Sequence, residues 1–416
     1  IEYRQLTFEL MQPGISKLAN PILLYDWGSR DFIARLQARP TPSAEPEAEL
    51  WIGDHPRAPS RLDAADGESL PAQLARDPEA LLGRRSVARF GSRLPFLMKV
   101  LAAASPLSIQ VHPNAKQARR GFEEEERRGL ALDARERIYF DPRHKVELMI
   151  ALEPFSALCG FRPSEQVDGL VHQLGSSVID RLCAELDRGD TDFAARLYFS
   201  TFALSSSERD RLSEDLLAFA RRDREDLAEA FWVLRLARLH PGDPGALAPL
   251  LLNLLVLAPG DGLVVAPGTI HSYLEGSGIE VMSSSDNVVR GGLTTKYIDE
   301  AEFRRLAVCE PFEPLITRPV VESPGIVRYP APAEEFLVRV LSLADGSGAL
   351  DRPPANSAII MLCVEGSSTL RAVSSAGGTD SLELASGEAA WIPAAVGEHT
   401  ISAAGRSATL YEVSVA

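Results

Sequence analysis

The chain has 416 residues, 45% hydrophobic and 24% charged, and a net charge of −15. Those proportions exclude a disordered, collagenous or coiled-coil protein, and the length implies two or three units with their own cores. An acidic balance with no basic run argues against nucleic-acid binding, so an anionic small substrate would need a few cations placed locally.

No apolar h-region follows Glu2, Tyr3, Arg4 and Gln5, so no signal peptide is expected there. Residues 1–160 then read as short apolar runs broken by Pro and Gly, a β-rich texture seen at 92–100 and 106–112. Residues 115–128 are the exception, a charge-dense stretch around Phe122 that predicts a surface helix. Pro142 breaks the chain ahead of a strand expected at about 146–152. From 164 to 258 the period changes: Val171, Leu174, Val178, Leu182 and Leu186 recur at helical spacing. Ser207 reads as the N-cap of a helix burying Leu212, Leu216 and Phe219, and Leu227, Phe231 and Leu234 fall on another ending before His240. The most apolar run, 246–258, is interrupted by Pro249 and Asn253 and is far shorter than the roughly 20 residues of a membrane span. Strand texture resumes at 262–271 and 279–282. The proline-rich stretch 310–332 reads as a boundary, and the alternation over 335–416 predicts a small β-barrel or sandwich.

Cys159, Cys183, Cys309 and Cys363 stand far apart with no CxxC, which predicts reduced thiols and a cytoplasmic protein and excludes zinc-finger chemistry. Only five of 43 basic residues are lysine: Lys17, Lys99, Lys116, Lys145 and Lys296. Lys differs from Arg in shape, hydration and ease of pKa shift, so its rare positions are informative. Lys17 and Lys116 are expected to be ordinary surface charges.

With residues 107–112 as a strand, Ser108, Gln110 and His112 share one face while Leu107, Ile109 and Val111 anchor the other. Lys145 and Glu147 share a face of the next strand, and His271 closes a strand after Pro267-Gly-Thr. Two imidazoles, a carboxylate and an amide oxygen make a thiolate-free set suited to a catalytic divalent cation. His172, His240 and His399 read as structural or surface residues. Glu280, Asp286, Arg290 and Lys296 follow His271 in one turn-rich segment, where Gly291-Gly292 permits close backbone approach.

Seven blocks carry a family resemblance: Tyr25-Asp-Trp-Gly-Ser29, Ala48-Glu-Leu-Trp-Ile-Gly53, Leu94-Pro-Phe-Leu-Met-Lys-Val-Leu101, Pro106-Leu-Ser-Ile-Gln-Val-His-Pro-Asn114, His144-Lys-Val-Glu147, Leu158-Cys-Gly-Phe-Arg-Pro163 and Ser285-Asp-Asn-Val-Val-Arg-Gly-Gly-Leu-Thr-Thr-Lys-Tyr297. They resemble the type I phosphomannose isomerases, in that family's order. Val146 and Thr295 depart from it, standing where proline is usual. The resemblance implies a mainly β chain with an inserted helical domain. A cupin catalytic barrel would take residues 1–163 and 259–325, the helical domain 164–258, and a C-terminal cupin-like jelly roll 326–416. The last offers only His399 and no QxH, so it is expected to hold no metal.

Also implied is interconversion of mannose 6-phosphate and fructose 6-phosphate through a cis-enediol, in a monomer that binds neither nucleic acid nor membrane. One Zn²⁺ or another divalent metal would sit on Gln110, His112, Glu147 and His271, with Arg290 catalytic. Lys99, Ser108, Lys145, Glu280, Asp286 and Lys296 are the expected substrate contacts. His55, Glu280, Asp286 and Lys145 remain open as the proton-transfer base. The alternatives are an isomerase or epimerase of another phosphosugar and a non-catalytic sugar-binding bicupin.

Overall fold

The computed structural model describes residues 14–63, 66–346, 348–354, 356–373 and 379–416; residues 2–5, on which the leader expectation rests, lie outside them. The architecture is mainly β, with three sheets and a block of helices. One strand organises the eleven-stranded sheet. His271–Ser283 pairs along its second half with Phe96–Ala103 and Glu147–Ala151. Its first half pairs instead with Phe155–Phe161 and, at His271, with Ile109–Val111. The changeover lies at Gly276, φ +128°, where a Cβ would come within 2.7 Å of the Phe155 backbone. Only glycine suits that conformation in that space, so the strand turns a corner and serves two faces.

Two expectations change here. His271 opens a strand rather than closing one, because the preceding turn is tied back: Gly268 N–H donates to His112 O at 2.8 Å. The strand expected at 107–112 spans only Ile109–Val111, since Pro106 and Pro113 flank it and neither can donate to a ladder. Ser108 and His112 sit just off its ends. The surface helix forms as Ala115–Arg127, opened by a capping box between Asn114 and Gln117.

The strands Phe155–Phe161 and Leu252–Leu257 pair with each other, and six α-helices from Ser164 to Leu251 lie between them in sequence. The helical texture therefore stops at Leu251. Residues 252–257 are strand because a short apolar run has no fixed period and the ladder decides it. Ser206–Asp223 is capped by Ser205, not Ser207: Ser205 and Glu208 have the reciprocal S-x-x-E spacing. Leu212, Leu216 and Phe219 are buried as their spacing requires, whereas Phe231 is left exposed. This helical core also takes in Ile109, Val111, Val289 and Leu293, so it backs the strands that carry Gln110 and Arg290.

Beyond residue 335 an eight-stranded and a four-stranded sheet enclose Leu341, Met361, Leu370, Ile401 and Leu410. The proline-rich stretch is more than a boundary, because Val320–Ser323 and Ile326–Tyr329 form one edge of the larger sheet. The other edge comes from far away: Ser16–Ala19 pairs with Ala389–Ile392 and with Arg61–Leu62. A shared core follows, in which Phe96, Val100, Leu148 and Val281 meet Ile360, Trp391 and Val413. Among the described residues no helix is long and apolar enough to cross a membrane.

Candidate metal centre and adjoining cleft

His112, Glu147 and His271 come from three separate strands or strand ends, yet one ligand atom of each lies within 4.8 Å of the others. Both imidazoles are fully buried. His112 Nδ1 lies 2.9 Å from Asn287 O, and His271 Nδ1 lies 2.9 Å from Thr269 O. A carbonyl only accepts, so each Nδ1 carries the proton and each Nε2 presents a lone pair. Neither Nε2 has a hydrogen-bond partner among the described residues. They face Glu147 instead, at 3.2 Å from Oε1 and 3.6 Å from Oε2. Two imidazole lone pairs against a carboxylate repel one another unless a cation lies between them, so the donor set fits a divalent metal ion.

The charge states agree with that arrangement. Burial pushes His112 down to about 3, with Lys145 adding to the effect, and burial likewise lowers His271. Burial opposes charge on Glu147, but the Lys145 ammonium beside it outweighs burial and holds its carboxyl well below the usual range. Lys145 Nζ is 2.8 Å from Glu147 Oε1, and Tyr273 donates its hydroxyl to Oε2 at 3.2 Å. Gln110 lies opposite His271 on one side of its strand and opposite Arg290 on the other.

Behind this cluster Lys99 is buried between Glu280 at 2.8 Å and Glu49 at 3.3 Å. Burial works against its charge, yet the two carboxylates raise its pKa above the ordinary lysine value. Glu280 is therefore not in a turn-rich loop; it sits in the long strand, opposite Lys99.

Next to Gln110, across the ladder at Arg290, opens a cleft of about 860 Å³, whose walls include Arg57, Arg137, Phe140, Asp286, Arg290 and Lys296. The loop bearing Asp286 is fixed by buried Asn287. Its amide donates to Asp141 O at 2.7 Å and Arg143 O at 2.9 Å. Asp286 does not pair with Arg290; its Oδ2 lies 3.4 Å from His55 Nε2 and 3.5 Å from Arg57. Among the described residues Arg290 and Lys296 have no carboxylate within ion-pair distance. Gly291 and Gly292 do not make room for a ligand: their missing Cβ atoms leave space for the Phe303 ring, Asp243 and Tyr198. Tyr198 donates to Gly291 O at 3.1 Å and Leu293 N–H to Asp243 Oδ2 at 2.7 Å, so the helical block clamps the Arg290 strand from behind.

A family model described as phosphomannose isomerase type I, catalytic domain, matches residues 15–164. Mannose-6-phosphate isomerase from Escherichia coli K12 is 37% identical over 402 residues, covering 95% of this chain and 99% of its own. The chain belongs to the type I phosphomannose isomerase family. An Arabidopsis thaliana relative, mannose-6-phosphate isomerase 1, is 30% identical over 395 residues, with 89% and 87% covered. A zinc-bound crystal structure of a mannose 6-phosphate isomerase superposes with TM-score 0.87 at 35% identity, covering 97% of this chain and all of that one. A phosphomannose isomerase mutant from Salmonella typhimurium gives the same TM-score at 34% identity, again over 97% and 100%.

For this member of the phosphomannose isomerase family, the expected positions fall into three groups. His112, Glu147 and His271 converge, with Gln110 and Lys145 beside them. Asp286, Arg290 and Lys296 line the cleft, while Lys99 and Glu280 form a buried pair behind. Ser108 is half-buried and has no hydrogen bond among the described residues that ties it to either group. Lys17 pairs with Glu388 and Lys116 is exposed, as expected of surface lysines. Three residues of the arrangement were not singled out from the sequence: Glu49, Arg57, and Tyr25, whose hydroxyl accepts from Arg57 at 3.2 Å. Glu49 and Tyr25 lie inside motif blocks, which is the signal available for them.

Proposed function

We propose that this chain interconverts mannose 6-phosphate and fructose 6-phosphate by moving a proton between C1 and C2. The observation that carries the reading is a His-Glu-His cation site next to a cleft lined by two cations without carboxylate partners, Arg290 and Lys296: Arg290 lies opposite Gln110 across the ladder, and the Asn287 carbonyl of the same loop holds His112. An enediol pathway develops negative charge on O1 and O2, and a phosphosugar brings a further dianion, so unneutralised cations have two tasks there. Gln110, His112, Glu147 and His271 would hold one zinc ion or another divalent metal. When bound, such a cation supplies fixed positive charge that polarises the sugar's carbonyl and hydroxyl oxygens. The donor chemistry and the zinc-bound relative support zinc.

Arg290, next to Gln110 across the ladder, stabilises the charge that develops on the sugar oxygens. Lys296, farther along the cleft, holds the phosphate. Of the four candidate bases only Asp286 lines the cleft. Glu280 is committed to Lys99 and Lys145 to Glu147. Proton transfer therefore falls to Asp286, with His55 at 3.4 Å to share the proton; burial lowers that imidazole to about 4 and keeps it neutral.

The same reading divides the chain into a cupin catalytic barrel of residues 14–163 and 252–325, a helical insert of 164–251, and a cupin-like C-terminal unit without metal. It describes a cytoplasmic monomer whose partner is a small phosphosugar, not a nucleic acid or a membrane. Turnover of mannose 6-phosphate, glucose 6-phosphate and unphosphorylated mannose by metal-loaded protein tests it. Preference for mannose 6-phosphate is expected; preference for another phosphosugar, or binding without turnover, overturns it.

A further inference from the structure

Arg57 stands on a short loop, Gly53-Asp-His-Pro-Arg57, that leaves the strand Glu49–Ile52. The loop is closed by Ser60 N–H donating to Gly53 O at 2.8 Å, and by Gly53 N–H donating to Ser60 Oγ at 2.9 Å. It therefore presents Arg57 at the cleft wall from a fixed base. The side chain itself is 55% exposed and held only at its margins. It donates to Tyr25 Oη at 3.2 Å, reaches Asp286 Oδ2 at 3.5 Å, and lies over the Trp51 ring at 5.6 Å. Asp286 is divided between Arg57 and His55, so it does not neutralise Arg57 alone.

Arg290 and Lys296 line the same cleft with no carboxylate of their own. Burial lowers the pKa of Lys296, and Arg290 and Arg57 lower it further; burial lowers Arg290, with Arg57 again adding to the effect. Of these three cations only Arg57 has a carboxylate within ion-pair distance, one it shares with His55, so the cleft suits a dianion. Geometry separates their tasks. C1 and C2 must lie towards Gln110 and Arg290, so a group on C6, at the far end of the sugar, points outward. Of the three, Arg57 alone is already paired with a carboxylate at the cleft wall, a partner that a phosphate can replace.

We propose that Arg57 is the phosphate-selecting residue of this cleft: its guanidinium leaves Tyr25 and Asp286 to grip the substrate's phosphate opposite Lys296. This rests on the reading that the cleft takes a 6-phosphosugar. A planar guanidinium matches two phosphate oxygens at once, and its exchange of one shared carboxylate for a dianion is favourable only when the phosphate is present. Phosphorylated sugars gain that grip and free sugars do not.

Steady-state kinetics of metal-loaded Arg57→Ala, with mannose 6-phosphate and with unphosphorylated mannose, test the assignment. The expected result is a KM for mannose 6-phosphate raised roughly 10- to 100-fold, with kcat changed by less than about threefold. The inhibition constant of inorganic phosphate should rise in parallel, Arg57→Lys should recover part of the loss, and kcat/KM for mannose should fall far less than that for mannose 6-phosphate. An unchanged KM and an unchanged phosphate inhibition constant in Arg57→Ala overturn the proposal. So does an equal loss on both sugars with a lowered melting temperature, which marks a structural role. Wild-type protein that fails to turn over mannose 6-phosphate overturns the functional reading itself, an outcome visible before any variant is made.

Discussion

Both β units carry charged or polar residues at inward-facing strand positions, and the contrast between them separates chemistry from architecture. In the C-terminal unit Arg339, Arg352, His399 and Glu412 share strand parity with the core residues Leu341, Leu350, Ile401 and Leu410. Glu412 accepts from Arg352 at 2.7 Å and from Arg339 at 3.2 Å, and Arg339 also reaches Glu322 at 2.6 Å. Charges there cancel locally. Within this group of four residues Arg352 Nε, a donor, and His399 Nε2, an acceptor because His399 Nδ1 faces Gly397 O at 3.3 Å, are left without partners. In the His112–Glu147–His271 cluster the two leftover atoms are both acceptors, His112 Nε2 and His271 Nε2, facing a carboxylate. Charges paired within the protein need nothing from outside. Acceptors crowded on an anion need a cation, and cations without anions need a substrate.

The largest effect should come from breaking the acceptor crowd. Glu147→Gln removes the only charge among the three clustered donors, so metal affinity and turnover should fall together, with kcat down about 10³-fold or more. Chelation of wild-type protein should do the same and lower the melting temperature, since ligands from separated strands also tie the core. Elemental analysis beside the activity assay checks this. Full turnover in metal-free protein would end the metal reading.

Next is Arg290→Ala. On its proposed role the charge acts mainly on oxygens that become negative in the transition state, so kcat should fall roughly 10²-fold with little change in KM. Lys296→Ala should show the opposite split, a raised KM with kcat mostly kept. The Asp286 contacts to His55 and Arg57 make a simple Asp286–Arg290 strut unnecessary, so Arg290→Ala should melt close to wild type.

On the self-neutralised side, Glu412→Gln should cost about 2 kcal/mol of stability, because Arg352 loses a charge-assisted partner while largely buried. Turnover per folded, metal-loaded molecule should stay at the wild-type level. Thermal melts with parallel kinetics decide it, and a drop in kcat would mean that the C-terminal unit reaches into the chemistry.

How much of this could be read beforehand follows the same division. Among the candidate donors and cleft cations, His112, Glu147, Arg290 and Lys296 sit in contiguous motif blocks and are visible residue by residue, whereas His271 lies outside every block and is marked only by the strand texture after Pro267-Gly-Thr. Lysine scarcity helped: Lys99, Lys145 and Lys296 stood out against 38 arginines, whereas Arg57 was one arginine among many. Strand exchange was not visible, because Ser16–Ala19 carries no local mark of pairing with Ala389–Ile392 more than 370 residues away. The same applies to Gly291: a flexible glycine and one filled by a ring from Glu300–Leu306 look alike in sequence. Local rules also slip by small steps, as with Ser205 for Ser207, when two serines compete and only one has Glu three residues on.

The smallest expected effect concerns the seam between the two units. His144, one residue before Lys145, places Nε2 3.0 Å from Oε1 of Glu335, at the start of the C-terminal alternation. Hydrogen bonding to Glu335 raises the imidazole above its ordinary 6.5 despite partial burial. Burial opposes charge on Glu335, but His144 outweighs it and lowers that carboxyl below its ordinary 4.5. The signs follow from linkage. A raised His144 contributes stability that is full below about 6.5 and is lost as pH rises through its higher folded value. A lowered Glu335 contributes stability present above about 4.5 and lost as pH falls through its lower folded value. Both contributions overlap between about pH 4.5 and 6.5, where the clasp should add about 1 kcal/mol, a modest figure for a half-buried pair. Wild type minus His144→Gln, melted across the pH range, should trace a hump in that window and converge above it. A flat difference would place the hold between the units in their shared apolar core alone.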